Sequence, residues 1–171
     1  MSKRKIRGDS GETDIAEMYD EIGYKNIQIV GKKGGATDIY SEYKGKKQLT
    51  SVKKRFFYRK TKETPIYVIN GSHLEKLKKE AEEIKATPFF AFILKQDEIS
   101  HTTIHTFIWE LDEIPKLIKK STRNKRNYSI NFGEKHLNEF QTLIRRSKFH
   151  LFHVEESSTI KKIKLHGLMN L

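Results

Sequence analysis

Apolar residues at helical spacing mark two segments of the chain. Between Ile15 and Ile22 they recur three or four positions apart, and Gly23 follows as a helix-ending residue. Asp9-Ser10 has side chains that favour a helix N-cap, so the pattern predicts a first helix that begins there. A second amphipathic pattern runs from residue 71 to about residue 85 and is broken by Thr87-Pro88. Some fifty residues separate these two predicted helices.

Alternating or continuous apolar stretches predict the strands. Asp38–Tyr43 and Gln48–Arg55 flank Gly45 and predict a β-hairpin. Phe89–Leu94 is a continuous apolar run of strand length, which is typical of a central strand covered on both faces. The remaining predicted strands lie over residues 24–30, 102–109, 149–154 and 160–165, and residues 65–69 are predicted to be a short extended piece.

The resulting order, α-β-β-β-α-β-β, predicts an α/β fold with a central mixed β-sheet flanked by helices. Beyond Ile114 the pattern weakens. We expect residues 115–171 to form a C-terminal extension: a basic, mobile loop over 117–126 that touches phosphate, a helix over 133–146 and two short strands. Dimerisation and DNA contact are both open as the role of this extension.

Charge narrows the possible partners. The 171 residues, enough for one domain, contain 34 Lys and Arg against 22 Asp and Glu, a net charge of +12. Such an excess favours a polyanionic partner, most simply nucleic acid. A membrane partner is not expected, because the basic clusters lie in predicted loops and strands and no apolar run is long enough to span a bilayer. The absence of cysteine excludes disulfides and fits a reducing cytoplasm, where we expect the protein to act.

Candidate chemistry lies on the predicted hairpin. Ser51 and Lys53 are two apart on one strand and share a face, and Asp38 on the partner strand can present its carboxylate to the same face. Glu12 lies upstream, in the first predicted helix. Phosphodiester hydrolysis needs a hard cation, an activated water and a positive charge near the developing negative charge. Carboxylates supply oxygen ligands for Mg²⁺, and a lysine beside the metal can position or deprotonate the water.

The motifs resemble those of the archaeal Holliday junction resolvases, a branch of the PD-(D/E)XK nuclease superfamily. Arg7–Glu12 is similar to the basic-Gly-x-x-x-Glu opening of that family, and Gly23-Tyr24 to the Gly-aromatic pair that ends its first helix. Asp38-Ile39 matches its Asp-Ile, and Lys53 falls where its lysine is expected. The similarity spans about residues 5–112. It implies a restriction-endonuclease-like fold for a nuclease-like domain over residues 1–114, with residues 115–171 appended.

The resemblance also implies roles for individual residues. Glu12 and Asp38 would contact Mg²⁺ or Mn²⁺, and Lys53 would be the catalytic lysine. Ser51 stands at a catalytic position where the family has Glu or Asp. Three explanations are open: an acid supplied by the next helix, with Glu75 or Glu80 as candidates; a site that works with Glu12, Asp38 and extra waters; or a decayed centre.

We therefore expect a metal-dependent, structure-specific endodeoxyribonuclease that binds branched or otherwise structured DNA. The resemblance implies a homodimer, because resolving a four-way junction requires two symmetric cuts. A catalytically degenerate DNA-binding scaffold for recombination or repair is the first alternative, and an RNA-binding or RNA-processing protein is the second. The predicted nucleic-acid contacts are Arg7, Lys32, Lys33, Lys54, Arg55, Arg59 and Lys60.

Overall fold

A twisted sheet with a helix on each face organises the computed structural model, which describes residues 3–30, 34–58, 66–97, 101–131, 150–158 and 162–169. The helices are α1 (Lys3–Ile22), α2 (Gly71–Glu83) and the short α3 (Ile114–Leu117), which follows a 3₁₀ turn at Leu111–Glu113. The strands are β1 (Lys25–Ile29), β2 (Ile39–Tyr43), β3 (Lys46–Tyr58), β4 (Ile66–Ile69), β5 (Thr87–Asp97), β6 (His101–Glu110), β7 (Tyr128–Asn131), β8 (His150–Ser158) and β9 (Lys162–Met169).

Seven strands form the main sheet in the order β1-β2-β3-β5-β6-β8-β9. Every neighbouring pair is antiparallel except β3 and β5, which run parallel because the chain crosses over through β4 and α2 between them. The predicted mixed sheet flanked by helices is confirmed.

Each face of the sheet has its own apolar core. Leu49 of β3 and alternate residues of β5, such as Phe90 and Phe92, pack on the side that α2 covers. The residues between them, such as Val52 and Ala91, pack on the side that α1 covers. Because both sides of β5 are buried, the apolar run over Phe89–Leu94 is the central strand that its composition predicts.

The β2–β3 hairpin is also confirmed, and its turn explains its register. Lys44 and Gly45 both have positive φ, 49° and 76°, as a two-residue type I′ turn requires. This turn matches the twist of the strands and pairs Ile39 with Thr50. Asp38 precedes Ile39 and Ser51 follows Thr50. Because the strands are antiparallel, this register places Asp38 beside Ser51.

The sequence-based prediction of the start of the first helix needs correction. Helix α1 begins at Lys3, so Asp9-Ser10 lies within it and is not its N-cap. The lysines and arginines before Asp9 are good helix formers, and the helix they form already pairs the amides that a cap would satisfy. The short extended piece predicted over residues 65–69 corresponds to strand β4, which lies outside the main sheet and pairs with β7.

The C-terminal part of the chain extends the main sheet. Strands β8 and β9 correspond to the two predicted terminal strands, and β8 pairs with β6. The predicted helix over 133–146 lies outside the described residues, and the domain boundary at residue 114 stays a prediction. Within the part of the chain that the structure covers, no helix is long and apolar enough to cross a bilayer.

Candidate active site

Asp38 is fixed by main-chain hydrogen bonds at the point where β2 begins. Its amide donates to the carbonyl of Thr50 at 3.0 Å, and its carbonyl accepts from the amide of Val30 at 2.8 Å. The residue is thus held between the end of β1 and the middle of β3. Its backbone position follows from the hairpin register and does not depend on its side chain.

A carboxylate on α2 holds the loop that leads into Asp38. Glu80 accepts hydrogen bonds from the amides of Ala36 and Thr37, each at 2.9 Å, and from the Thr37 hydroxyl at 2.6 Å. Desolvation opposes ionisation of Glu80, but these hydrogen bonds outweigh it and lower its pKa. Both oxygens of Glu80 therefore accept hydrogen bonds from the loop. These bonds argue against Glu80 as the acid that replaces a carboxylate at position 51 in binding metal.

The Asp38 side chain points at β3. Its Oδ2 atom accepts from the Val52 amide at 2.6 Å and from the Ser51 hydroxyl at 3.2 Å. The Lys53 ammonium lies 3.8 Å from the same oxygen. The side chains of Lys53 and Asp38 remain 35% and 22% exposed, so the pair is accessible to a ligand. The structure thus brings together three of the four predicted catalytic residues.

His73 is the functional candidate that sequence reasoning missed. Its Nε2 atom lies 2.8 Å from the hydroxyl of the buried Ser51, and the imidazole tautomer decides which atom donates. Burial lowers the pKa of His73, and the Lys53 ammonium lowers it further, against the opposing effect of Asp38. The lowered pKa favours the neutral form of the imidazole, and His73 reaches from α2 to Ser51 on β3, beside Asp38.

A signal for His73 exists in the sequence. His73, Leu77 and Glu80 recur at the i, i+4, i+7 spacing of one helix face. Asn70 caps the helix by accepting from the Ser72 amide, which sets the register of this stripe. His73 and Glu80, at the two ends of this stripe, therefore face the sheet. His73 contacts β3 next to Asp38, and Glu80 contacts the loop that leads into Asp38.

Glu12 lies on α1, which covers the face of the sheet opposite to α2. It is half-buried and follows Gly11, at which an added Cβ would lie 3.2 Å from Cβ of Lys54. Lys54 and Val52 point toward α1, whereas Ser51 points toward α2. Among the described residues, no group of three or more His, Cys, Asp or Glu is placed to hold a metal ion. The contact of Glu12 with metal stays a prediction, as does the migration of an acid to Glu75, which is exposed on α2.

The predicted nucleic-acid contacts divide into four groups. Arg55 is exposed on β3, as such a contact requires. Lys54 instead lies 2.7 Å from the Asp14 carboxylate and is only 12% exposed, so its charge is already paired within the protein. Arg7 is described through its helical backbone alone. The positions outside the described residues are Lys32, Lys33, Arg59 and Lys60.

Comparison with known proteins identifies the architecture. No family model matches the chain, and no curated protein matches its sequence. Among solved structures, the chain is similar to Archaeoglobus fulgidus Hjc, described as a Holliday junction resolvase from an archaeal hyperthermophile. The TM-score is 0.51 at 14% sequence identity, over 77% of this chain and 88% of that one. At this identity the likeness shows the fold: the Asp38–Lys53 pair lies on a restriction-endonuclease-like framework.

Proposed function

We propose that this protein binds branched or otherwise structured DNA and hydrolyses its phosphodiester bonds with the help of a divalent cation. The observation that carries the proposal is the 3.8 Å approach of Lys53 to Asp38 on a nuclease-like framework. A carboxylate and an ammonium group from neighbouring strands, both partly exposed, supply the two charges that a metal-dependent phosphodiesterase needs. The excess of basic residues supplies the attraction to a polyanion.

The donor set fits a cation that takes most of its ligands from water and phosphate. Mg²⁺ commonly binds through one or two carboxylates and keeps several waters. Asp38 supplies one carboxylate, whose Oδ2 atom is occupied by Val52 and Ser51, and the resemblance assigns Glu12 as the second. When bound, such a cation stabilises charge on the phosphate and lowers the pKa of a coordinated water.

The residues of the chain have distinct tasks in this proposal. The Val52 amide and the Ser51 hydroxyl fix the orientation of the Asp38 carboxylate, and His73 in turn fixes the Ser51 hydroxyl. Lys53, next to that carboxylate, orients the attacking water and stabilises the developing negative charge. Ser51 and His73 are positioning residues, because they act through Asp38.

The direct test is a substrate panel. Four-way junctions, flaps and linear duplexes of one sequence are incubated with the protein in Mg²⁺ and, separately, in Mn²⁺. We expect cleavage of branched DNA that disappears with chelator and with Asp38→Asn, since asparagine can still accept from the Val52 amide but carries no charge. Sedimentation of the protein–junction complex tests the proposed homodimer. No cleavage of any branched substrate in either metal contradicts the hydrolytic assignment.

A specific observation favours a second candidate, the catalytically degenerate DNA-binding scaffold. The Ser51–His73 pair lies where the resemblance implies a second carboxylate, and the described residues include no group of three or more His, Cys, Asp or Glu that could hold a metal ion. Ser51 is fully buried against His73, so a glutamate at position 51 needs the room that the imidazole fills. If the wild-type protein cuts nothing and Ser51→Glu combined with His73→Ala cuts junctions in Mn²⁺, the scaffold assignment is supported. A competition with RNA of matched length and salt tests the RNA alternative.

A further inference from the structure

The segment Lys119–Asn127, here called the basic loop, concentrates positive charge on the surface. It contains no acidic residue, and its basic side chains are all exposed. The sequence predicts that a loop over residues 117–126 touches phosphate, but it singles out none of these side chains. The exposed basic side chains are Lys119, Lys120, Arg123, Lys125 and Arg126.

Backbone hydrogen bonds close the basic loop into a turn, and the mobility expected from its composition stays a prediction. The Ser121 amide donates to the carbonyl of Asn127 at 2.7 Å, and the Asn127 amide donates to that of Asn124 at 2.9 Å. The Ser129 amide donates to the carbonyl of Lys119 at 3.0 Å, which closes the base of the loop. Because backbone and asparagine groups make these bonds, the charged side chains are left to solvent.

The basic loop is docked on the first turn of α2. The Gly71 amide donates to Oδ1 of Asn127 at 3.0 Å. A Cβ added at Gly71 would lie 1.9 Å from the carbonyl oxygen of Arg126, closer than any real contact. Only glycine allows the two backbones to approach in this way, so the loop has a fixed place relative to α2.

The same helical turn reaches the candidate active site. His73 follows Gly71 by two residues, within one turn of α2, and its imidazole contacts Ser51 beside Asp38. The basic loop on one side and the Asp38 pair on the other are therefore held by the same rigid segment.

We propose that the basic loop binds the phosphate backbone of DNA beside the candidate active site and fixes the position of the strand there. This inference rests on the proposed function for the use of the neighbouring site. Exposed Lys and Arg in a loop that contains no acidic residue match phosphates, and phosphate contacts position a nucleic acid without reading its bases. The contact is therefore independent of DNA sequence and strongly dependent on salt.

The test compares two triple variants in binding to a four-way junction across a range of salt concentrations. Arg123→Ala, Lys125→Ala and Arg126→Ala together remove charge from the basic loop without removing any of the groups that form its turn. The control removes the same charge from exposed positions elsewhere, through Lys25→Ala, Lys46→Ala and Lys79→Ala. For one to three lost phosphate contacts, we expect the loop variant to bind about 10-fold to 500-fold more weakly at 0.1 M salt, with a salt slope reduced by about 1 to 3.

A second variant tests the placement of the loop with its charges intact. Gly71→Ala introduces the methyl group that overlaps the Arg126 carbonyl, and we expect weaker binding of the junction with retained helical circular dichroism. Asn127→Ala removes the hydrogen bond to Gly71 without a clash, and we expect a smaller effect in the same direction.

The inference is overturned if the loop triple variant keeps the wild-type affinity and salt slope, or matches the control. If RNA competes the junction off the wild-type protein at matched salt, and the loop triple variant weakens that competition, RNA and not DNA is the partner of the loop. Failure of the proposed hydrolysis can be distinguished from failure of this inference. Asp38→Asn reports on cleavage, whereas the loop variants are judged by affinity alone. A loop variant that binds weakly while the wild-type protein cuts nothing supports the inference and contradicts the nuclease assignment.

Discussion

Replacing Glu80 tests whether the loop before β2 is held from α2. Glu80→Gln keeps the shape of the side chain but substitutes an NH₂ group for one of two acceptor oxygens. The Ala36 and Thr37 amides each need one of those oxygens. In either orientation of the new amide, one backbone N–H group therefore faces a donor. Because both residues are buried, we expect a loss of about 1–3 kcal/mol in the free energy of unfolding, the cost of one unsatisfied buried donor.

The pH dependence gives this prediction a second readout. Hydrogen bonds from the loop lower the pKa of Glu80 in the folded protein, although desolvation acts against them. A lowered folded pKa means that ionised Glu80 contributes stability above its unfolded pKa of about 4.5, and that this contribution is lost as the pH falls through the folded pKa. We expect the stability difference between wild type and Glu80→Gln to shrink in that acid range.

Urea unfolding followed by the fluorescence of the single tryptophan, the buried Trp109, measures both effects. Glu83→Gln is the matched control, because it makes the same substitution at an exposed position of the same helix. If Glu80→Gln and Glu83→Gln unfold with equal free energies from pH 4 to pH 7, the Glu80 carboxylate does not hold the loop and our account of Asp38 placement is wrong.

Three further predictions concern buried polar groups. The hydroxyls of Tyr19 and Thr50 are 2.9 Å apart and buried, so Tyr19→Phe should lower the free energy of unfolding by about 1–3 kcal/mol; adding Thr50→Val should recover part of that loss in a double-mutant cycle. Burial raises the pKa of Tyr24 to about 12. The stability contributed by the protonated Tyr24 hydroxyl is therefore complete below pH 10.0 and should be lost towards pH 12, as alkaline unfolding followed by circular dichroism would show. Because burial and the Lys53 ammonium lower the pKa of His73, its NMR titration midpoint should lie below 6.5 and should rise in Lys53→Met.

The sequence predicted much of the framework because local patterns determine it. Gly45 between two alternating segments is a strong hairpin signal, and the apolar run of β5 has no stable place except a doubly covered strand. The hairpin also determines the proximity of Asp38 to Ser51 and Lys53. These parts follow from spacing along the chain and needed no long-range information.

Long-range contacts account for what the sequence did not reveal. The Ser51–His73 contact joins β3 to α2 across a crossover, so its geometry depends on how the helix packs on the sheet. The position of the basic loop against α2 depends on the close approach of the Arg126 carbonyl to the backbone of Gly71. Composition does not indicate this contact. The pairing of Lys54 with Asp14 likewise required knowledge of where α1 crosses β3.

Single-turnover cleavage of a four-way junction in Mn²⁺ by wild type and Lys53→Met tests the catalytic role of the Asp38–Lys53 pair, with affinity for the junction measured in parallel. We expect the methionine variant to cut about 10²- to 10⁴-fold more slowly, the range of a lost proton-transfer or charge-stabilising group, while its affinity stays within about tenfold. Equal cleavage rates for the two proteins would contradict a catalytic role for the Asp38–Lys53 pair.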